Sequence, residues 1–95
     1  MYEVECIKEE YKISYCIKGT FIHHREDGPA VETSKYKAWW INGKRHREDG
    51  PAVIYGDGDL RWCLNGTFFD SKEEWFEALT EEKKAKAIFS EHFIK

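Results

Sequence analysis

Two stretches of this chain bring histidine and carboxylates close together. His24, Glu26 and Asp27 recur as His46, Glu48 and Asp49, inside an octapeptide, HREDGPAV, that is present twice. These are the residue types of metal sites and of general acid–base catalysis. The duplication argues against both. An active site is needed once, whereas a scaffold residue is needed in every unit. A metal also wants His or Cys ligands at spacings that converge on one point, and no such spacing is visible. Turn geometry, with Arg25 and Arg47 paired to neighbouring carboxylates, accounts for the octapeptide better. No catalytic residue, metal or other cofactor is expected.

The remaining chemistry is thin. Cys6, Cys16 and Cys63 are an odd number without close pairs, so reduced thiols and a cytoplasmic setting are expected. Cys16 and Cys63 fall at equivalent repeat positions, and Trp40 takes the third. A position that accepts Cys or Trp is a packing or surface position, not a nucleophile. Gly56-Asp57-Gly58-Asp59 looks like a piece of a calcium loop but lacks the other ligands, and reads as a hairpin loop. There is no glycine-rich phosphate loop.

The elements that must position these residues follow from the repeat. Trp39-Trp40-Ile41-Asn42-Gly43-Lys44 matches Trp62-Cys63-Leu64-Asn65-Gly66-Thr67, and Tyr15-Cys16-Ile17-Lys18-Gly19-Thr20 is a third copy. Cys6-Ile7 falls where Ala30-Val31 falls, so the N-terminus reads as a degenerate first unit. Asn-Gly tolerates the positive φ of a tight hairpin turn. Asp-Gly-Pro makes a second turn, with Pro at a strand start. Between turns lie short strands. Tyr11, Ile13, Tyr15 and Ile17 alternate with Lys12, Ser14 and Cys16, which predicts one apolar face. Residues 36–41 read as one strand with bulk on both faces. Leu60, Trp62 and Leu64 are expected to share a face opposite Arg61 and Cys63.

After Asn65-Gly66 the pattern changes. Ser71 with Glu74 is a capping box, predicting a helix from about Lys72 with Trp75, Phe76 and Leu79 as its apolar stripe. Thr80 followed by Glu81 and Glu82 predicts a second helix reaching about His92, with Ala85, Ile88, Phe89 and Phe93 buried. The expected fold is α+β: an antiparallel β-meander of tandem hairpin repeats capped by one or two C-terminal helices. It forms a single domain over 1–95, with the β-repeat sheet in 1–70 and the helical cap in 71–95.

Bulk properties narrow the function classes. A 16% aromatic share, from four Trp, five Tyr and six Phe, gives a 95-residue chain enough apolar area to fold. The net charge of −3 argues against direct nucleic-acid binding, which needs a basic field. No apolar run is long enough to span a bilayer, and the first residues show no secretory pattern.

The HREDGPA unit joined to W-x-x-N-G-K resembles repeats in small proteins of tailed bacteriophages and large DNA viruses. Those are similar to MORN-variant repeats of bacteria, including some antitoxin-like proteins. The ending, N-G followed by S-K-E-E-W, resembles the helical close of the phage versions. The resemblance spans roughly Tyr15 to Leu79. It implies a β-hairpin repeat used as a binding surface in a small phage accessory protein, of a kind that often inhibits a host factor such as a defence system. It implies no enzymatic activity and no particular site residues.

The surplus aromatics are the remaining functional signal. Tyr36, Trp39, Trp40 and Trp62, rimmed by Arg45, Arg47 and Arg61, are the candidate partner-binding residues, because Trp and Arg dominate interface energetics. The reading is a non-enzymatic protein that binds and inhibits a host protein, in the host cytoplasm if viral. An antitoxin-like interaction module is an alternative. So is an acidic nucleic-acid mimic using Glu73, Glu74, Glu77, Glu81 and Glu82, and so is a metal-dependent hydrolase on His24 and His46. The edge of the N-terminal strand offers a second copy a place to pair.

Overall fold

The computed structural model describes residues 2–89. Nine strands run in chain order: β1 (Val4–Lys8), β2 (Lys12–Ile17), β3 (Val31–Thr33), β4 (Tyr36–Ala38), β5 (Trp40–Ile41), β6 (Lys44–Arg45), β7 (Val53–Tyr55), β8 (Leu60–Leu64) and β9 (Thr67–Phe69). Two helices follow, α1 (Lys72–Glu77) and α2 (Glu81–Ile88). Seven strands form one antiparallel meander in the order β1-β2-β3-β4-β7-β8-β9, and β5 pairs with β6 beside it.

Each repeat is built on one spine, in residues 12–17, 36–41 or 60–64. The first half of a spine pairs with the strand that leaves an octapeptide: Ser14 with Val31, and Ala38 and Arg61 each with Val53. The second half folds back into a hairpin, pairing Cys16 with His23, Trp40 with Arg45 and Cys63 with Phe68. Asn42 (φ 50°) with Gly43 (φ 76°), and Asn65 (φ 50°) with Gly66 (φ 83°), make the two tight turns. Positive φ at both central positions matches the twist of the flanking strands.

Two strand expectations need correction. Residues 36–41 do not form one continuous strand. The chain changes partners at Trp39, whose N–H donates to the Ala52 carbonyl at 2.7 Å while its own carbonyl accepts from His46 N–H at 3.1 Å. In β2 the buried side chains are Ser14 and Cys16, not the Tyr11–Ile17 set, and Tyr11 is 79% exposed. Their cross-strand neighbours Val31 and His23 cover these two small residues. The expected alternation of β8 holds: Leu60, Trp62 and Leu64 share one face opposite Arg61 and Cys63, with Leu60 exposed at the strand's start and Cys63 fully enclosed on the other face.

The core has two parts, one on each side of the sheet. Val31, Ala38 and Val53 are buried beneath half-buried Tyr36, Trp40 and Tyr55. On the other side Trp62, Trp75, Leu79 and Ala87 pack with Leu64, Phe69 and Phe76. The α1 cap forms as expected. Ser71 Oγ accepts from Glu74 N–H at 3.1 Å, while the Glu74 carboxylate accepts from Asp70 N–H at 3.2 Å. Thr80 Oγ1 caps α2 by accepting from Lys83 N–H at 3.3 Å.

The buried face of α2 differs from the expectation. Ala85, Ile88 and Phe89 are exposed, and Ala87 is the residue that enters the core. Lys83 binds Glu48, and Lys84 pairs with Glu77 at 3.6 Å. Residues three and four apart share a helix face, so these two anchors turn Ala87 inward. His92 and Phe93 lie outside the described residues.

Candidate functional site

The two octapeptides build the same object twice. Arg25 lies over the Tyr15 ring at 4.0 Å, and Arg47 over the Trp39 ring at 3.9 Å. Each guanidinium donates from Nε to the carboxylate two residues on, Asp27 at 2.9 Å and Asp49 at 2.8 Å. Each also donates from a terminal nitrogen to the proline carbonyl, Pro29 at 3.2 Å and Pro51 at 3.1 Å. The Arg25 guanidinium holds Asp27 below the usual carboxylate range. Ala30 and Ala52 are completely buried between spines. A side chain at Gly28 would meet the Arg25 guanidinium carbon at 2.9 Å, so the glycine makes room for the stacked arginine.

The histidines are pinned as well. His24 Nδ1 accepts from Asn42 N–H and His46 Nδ1 from Asn65 N–H, both at 2.9 Å. An accepting Nδ1 places the neutral ring's proton on Nε2. Nε2 then faces Glu26 at 3.4 Å in the first copy and Glu48 at 3.2 Å in the second. Neither imidazole keeps a lone pair for a metal or for proton abstraction. Each joins one octapeptide to the next Asn-Gly turn.

In place of a third octapeptide stands the cap. Lys72 Nζ sits 5.9 Å above the Trp62 ring, the place that arginine takes over Tyr15 and Trp39. Trp75 packs on Trp62 with the ring planes tilted at 51° and centroids 4.8 Å apart, and donates from Nε1 to the Arg47 carbonyl at 3.0 Å. Glu48 differs from its exposed counterpart Glu26. Burial raises its carboxyl pKa, but the bond and charge of Lys83, with His46, outweigh that and lower it. A cleft of about 770 Å³ is lined by residues of both octapeptides, their carboxylates included, together with Trp39, Ile41 and Lys86.

The seven candidate residues do not form one site. Trp39 lies under Arg47 on the octapeptide side, and Trp62 is buried against the cap. Arg61 is exposed and paired with Asp59 at 2.8 Å. Tyr36, Trp40 and Arg45 share the opposite side, where directly paired strand residues point the same way.

There a column of unlike side chains runs across the three hairpins. His23 packs on Trp40 at 5.4 Å. Arg45 lies 5.1 Å from the Trp40 ring and 5.7 Å from Phe68. Arg45 has no ion pair among the described residues, and Arg45 Nε and Trp40 Nε1 are enclosed without an acceptor. Buried polar groups are rarely left this way. Phe68 is 51% exposed at the end of the column. Sequence reasoning missed His23 and Phe68. Their signal was the strand register, since each sits directly opposite a residue equivalent to Trp40.

The two buried thiols offer little reactivity. Burial pushes Cys16 and Cys63 above their ordinary values, so both stay protonated. Among the described residues no group of three or more His, Cys, Asp or Glu side chains could hold a metal ion. No described helix is long and apolar enough to cross a membrane. No family model, curated protein or solved structure matches the chain.

Proposed function

We propose that the chain is a non-enzymatic binding protein of the phage accessory kind, which binds and inhibits a host protein, such as a defence component, in the host cytoplasm. The observation that carries the binding is Arg45, held between Trp40 and Phe68 without a carboxylate partner among the described residues. Arg and Trp in such a setting are the anchors of protein interfaces. Half-buried Arg45 and exposed Phe68 offer a partner chain a cation beside an apolar ring on that face. The phage setting and the inhibition rest on the sequence resemblance. The doubled His and carboxylate set supports scaffolding, because its polar groups are engaged with one another and with backbone.

The test is affinity capture from host lysate with wild type, Arg45→Ala, Phe68→Ala and Arg61→Ala, each checked for folding by circular dichroism. A specific partner is expected with wild type and Arg61→Ala, and lost with the other two. Capture unchanged by Arg45→Ala and Phe68→Ala would move the binding surface elsewhere.

A further inference from the structure

Among the described residues, helices cover the C-terminal end of the sheet and nothing covers the N-terminal end. β1 is an edge strand whose residues are exposed apart from half-buried Ile7. Its register with β2 decides which backbone groups are free. Lys18 N–H donates to the Glu3 carbonyl and Glu9 N–H to the Lys12 carbonyl, both at 2.8 Å. Odd-numbered residues of β1 therefore turn their backbone groups inward, to β2. In an antiparallel ladder the alternate residues turn outward. The N–H and C=O of Val4, Cys6 and Lys8 thus point away from the sheet, with no neighbouring strand among the described residues.

From this edge we infer that two copies of the chain pair β1 to β1, antiparallel, about a two-fold axis at Cys6. In that register Cys6 faces Cys6 of the second copy, and Val4 faces Lys8 in both directions. All three outward residues then exchange both of their hydrogen bonds. On one side of the joined sheet Val4 lies along the Lys8 stem. On the other Glu5 meets Ile7, and Glu3 opposes Glu9. The latter two carboxylates carry their own cations, Lys18 at 3.4 Å and Lys12 at 3.9 Å. Centring on Glu5 instead sets two glutamates face to face, which like charges disfavour. Centring on Ile7 opposes Glu5 to Glu9 twice and moves one pair of bonds beyond the strand end. An isologous interface of this kind is closed, so it stops at two copies.

The pairing axis is perpendicular to the sheet, so it keeps each face on its own side. Both Trp40–Arg45–Phe68 columns then lie on one side of a continuous sheet. This does not depend on the proposed host target, and it would give any binder on that side two equivalent sites.

Sedimentation and light scattering of the full chain across a concentration series provide the test. The mass should rise from 11.3 kDa towards twice that value. A short thiol cross-linker should trap the dimer through Cys6, since Cys16 and Cys63 are buried, and Cys6→Ser should abolish the trapped species. Cys6→Pro removes the outward N–H and the thiol beside Tyr15 but no backbone bond to β2, so it should give a folded monomer. Val4→Pro is the second variant, should Cys6→Pro fail to fold. Hydrogen exchange needs no variant. The Val4, Cys6 and Lys8 amides should be protected at high concentration and exchange fast on dilution. A monomer at every concentration, or fast exchange at these three amides throughout, overturns the proposal. So does a dimer that survives both proline variants.

Discussion

Removing the Arg47 side chain tests the claim that the octapeptide is a clamp. Arg47 is 12% exposed, stacks on Trp39 at 3.9 Å and donates to the Pro51 carbonyl at 3.1 Å. A stacked cation largely withdrawn from water contributes about 1–2 kcal/mol. The bond to the carbonyl adds about 1 kcal/mol. The pair with Asp49, which is 54% exposed, is screened and adds no more than about 0.5 kcal/mol. Arg47→Ala should therefore cost about 2–3.5 kcal/mol. For a domain of this size that lowers Tm by roughly 10–20 °C. Arg47→Lys keeps the charge and loses the forked geometry, so it should fall between wild type and Ala. Urea denaturation followed by tryptophan fluorescence reads all three. Arg25→Ala provides the comparison: its side chain is more exposed, and its ring partner is Tyr15 rather than Trp39. It should cost less. The reasoning fails if Arg47→Ala costs under about 0.5 kcal/mol, or if Arg25→Ala costs more.

Three further outcomes follow from the same geometry. Trp75→Phe keeps most of the buried ring but leaves the Arg47 carbonyl without its indole donor, and should cost about 1–2 kcal/mol by chemical denaturation. Asn65→Ala places a Cβ-bearing residue without a compensating side chain at φ 50°, and should cost about 1 kcal/mol, whereas Asn65→Gly should be close to neutral. The folded Glu48 carboxyl lies below its ordinary value of 4.5, so the unfolded chain binds its proton more readily. Its contribution is present above pH 4.5 and is lost as pH falls through the folded value, and Lys83→Met should flatten that acid limb of stability against pH.

Much of the architecture was readable because the repeat writes each instruction more than once. Asn-Gly announced both tight turns, since only residues tolerant of positive φ serve there. Ser71 and Thr80 announced the helix starts through local bonds that need no tertiary context. Even the alignment of Tyr15 with Trp39 was correct, and both prove to lie under an octapeptide arginine. The candidate site was read less well. Alternation puts Trp39 and Trp40 on opposite sides of their spine, but it does not say which of the two an arginine covers. The buried side of α2 is not legible in its own pattern, because Lys83 reaches Glu48, 35 residues away, and Lys84 reaches Glu77 in the helix before it.

Read alone, the sequence determined the unit: its period, its turns, the octapeptide corner and the helical ending. Those depend on backbone preference and on bonds between near neighbours. The folded chain alone settles which side of each spine is roofed by arginine, which is sealed by the cap, and which leaves Arg45 without an ion pair among the described residues. Alternation fixes that neighbours face apart, but not which face the rest of the chain will cover. It also decided what the doubled His, Glu and Asp are for. Asp27 and Asp49 are held by the arginine two residues before them, but each histidine meets a backbone amide 18 or 19 residues away, and Glu48 a helix lysine 35 residues on. No local pattern specifies contacts at that range.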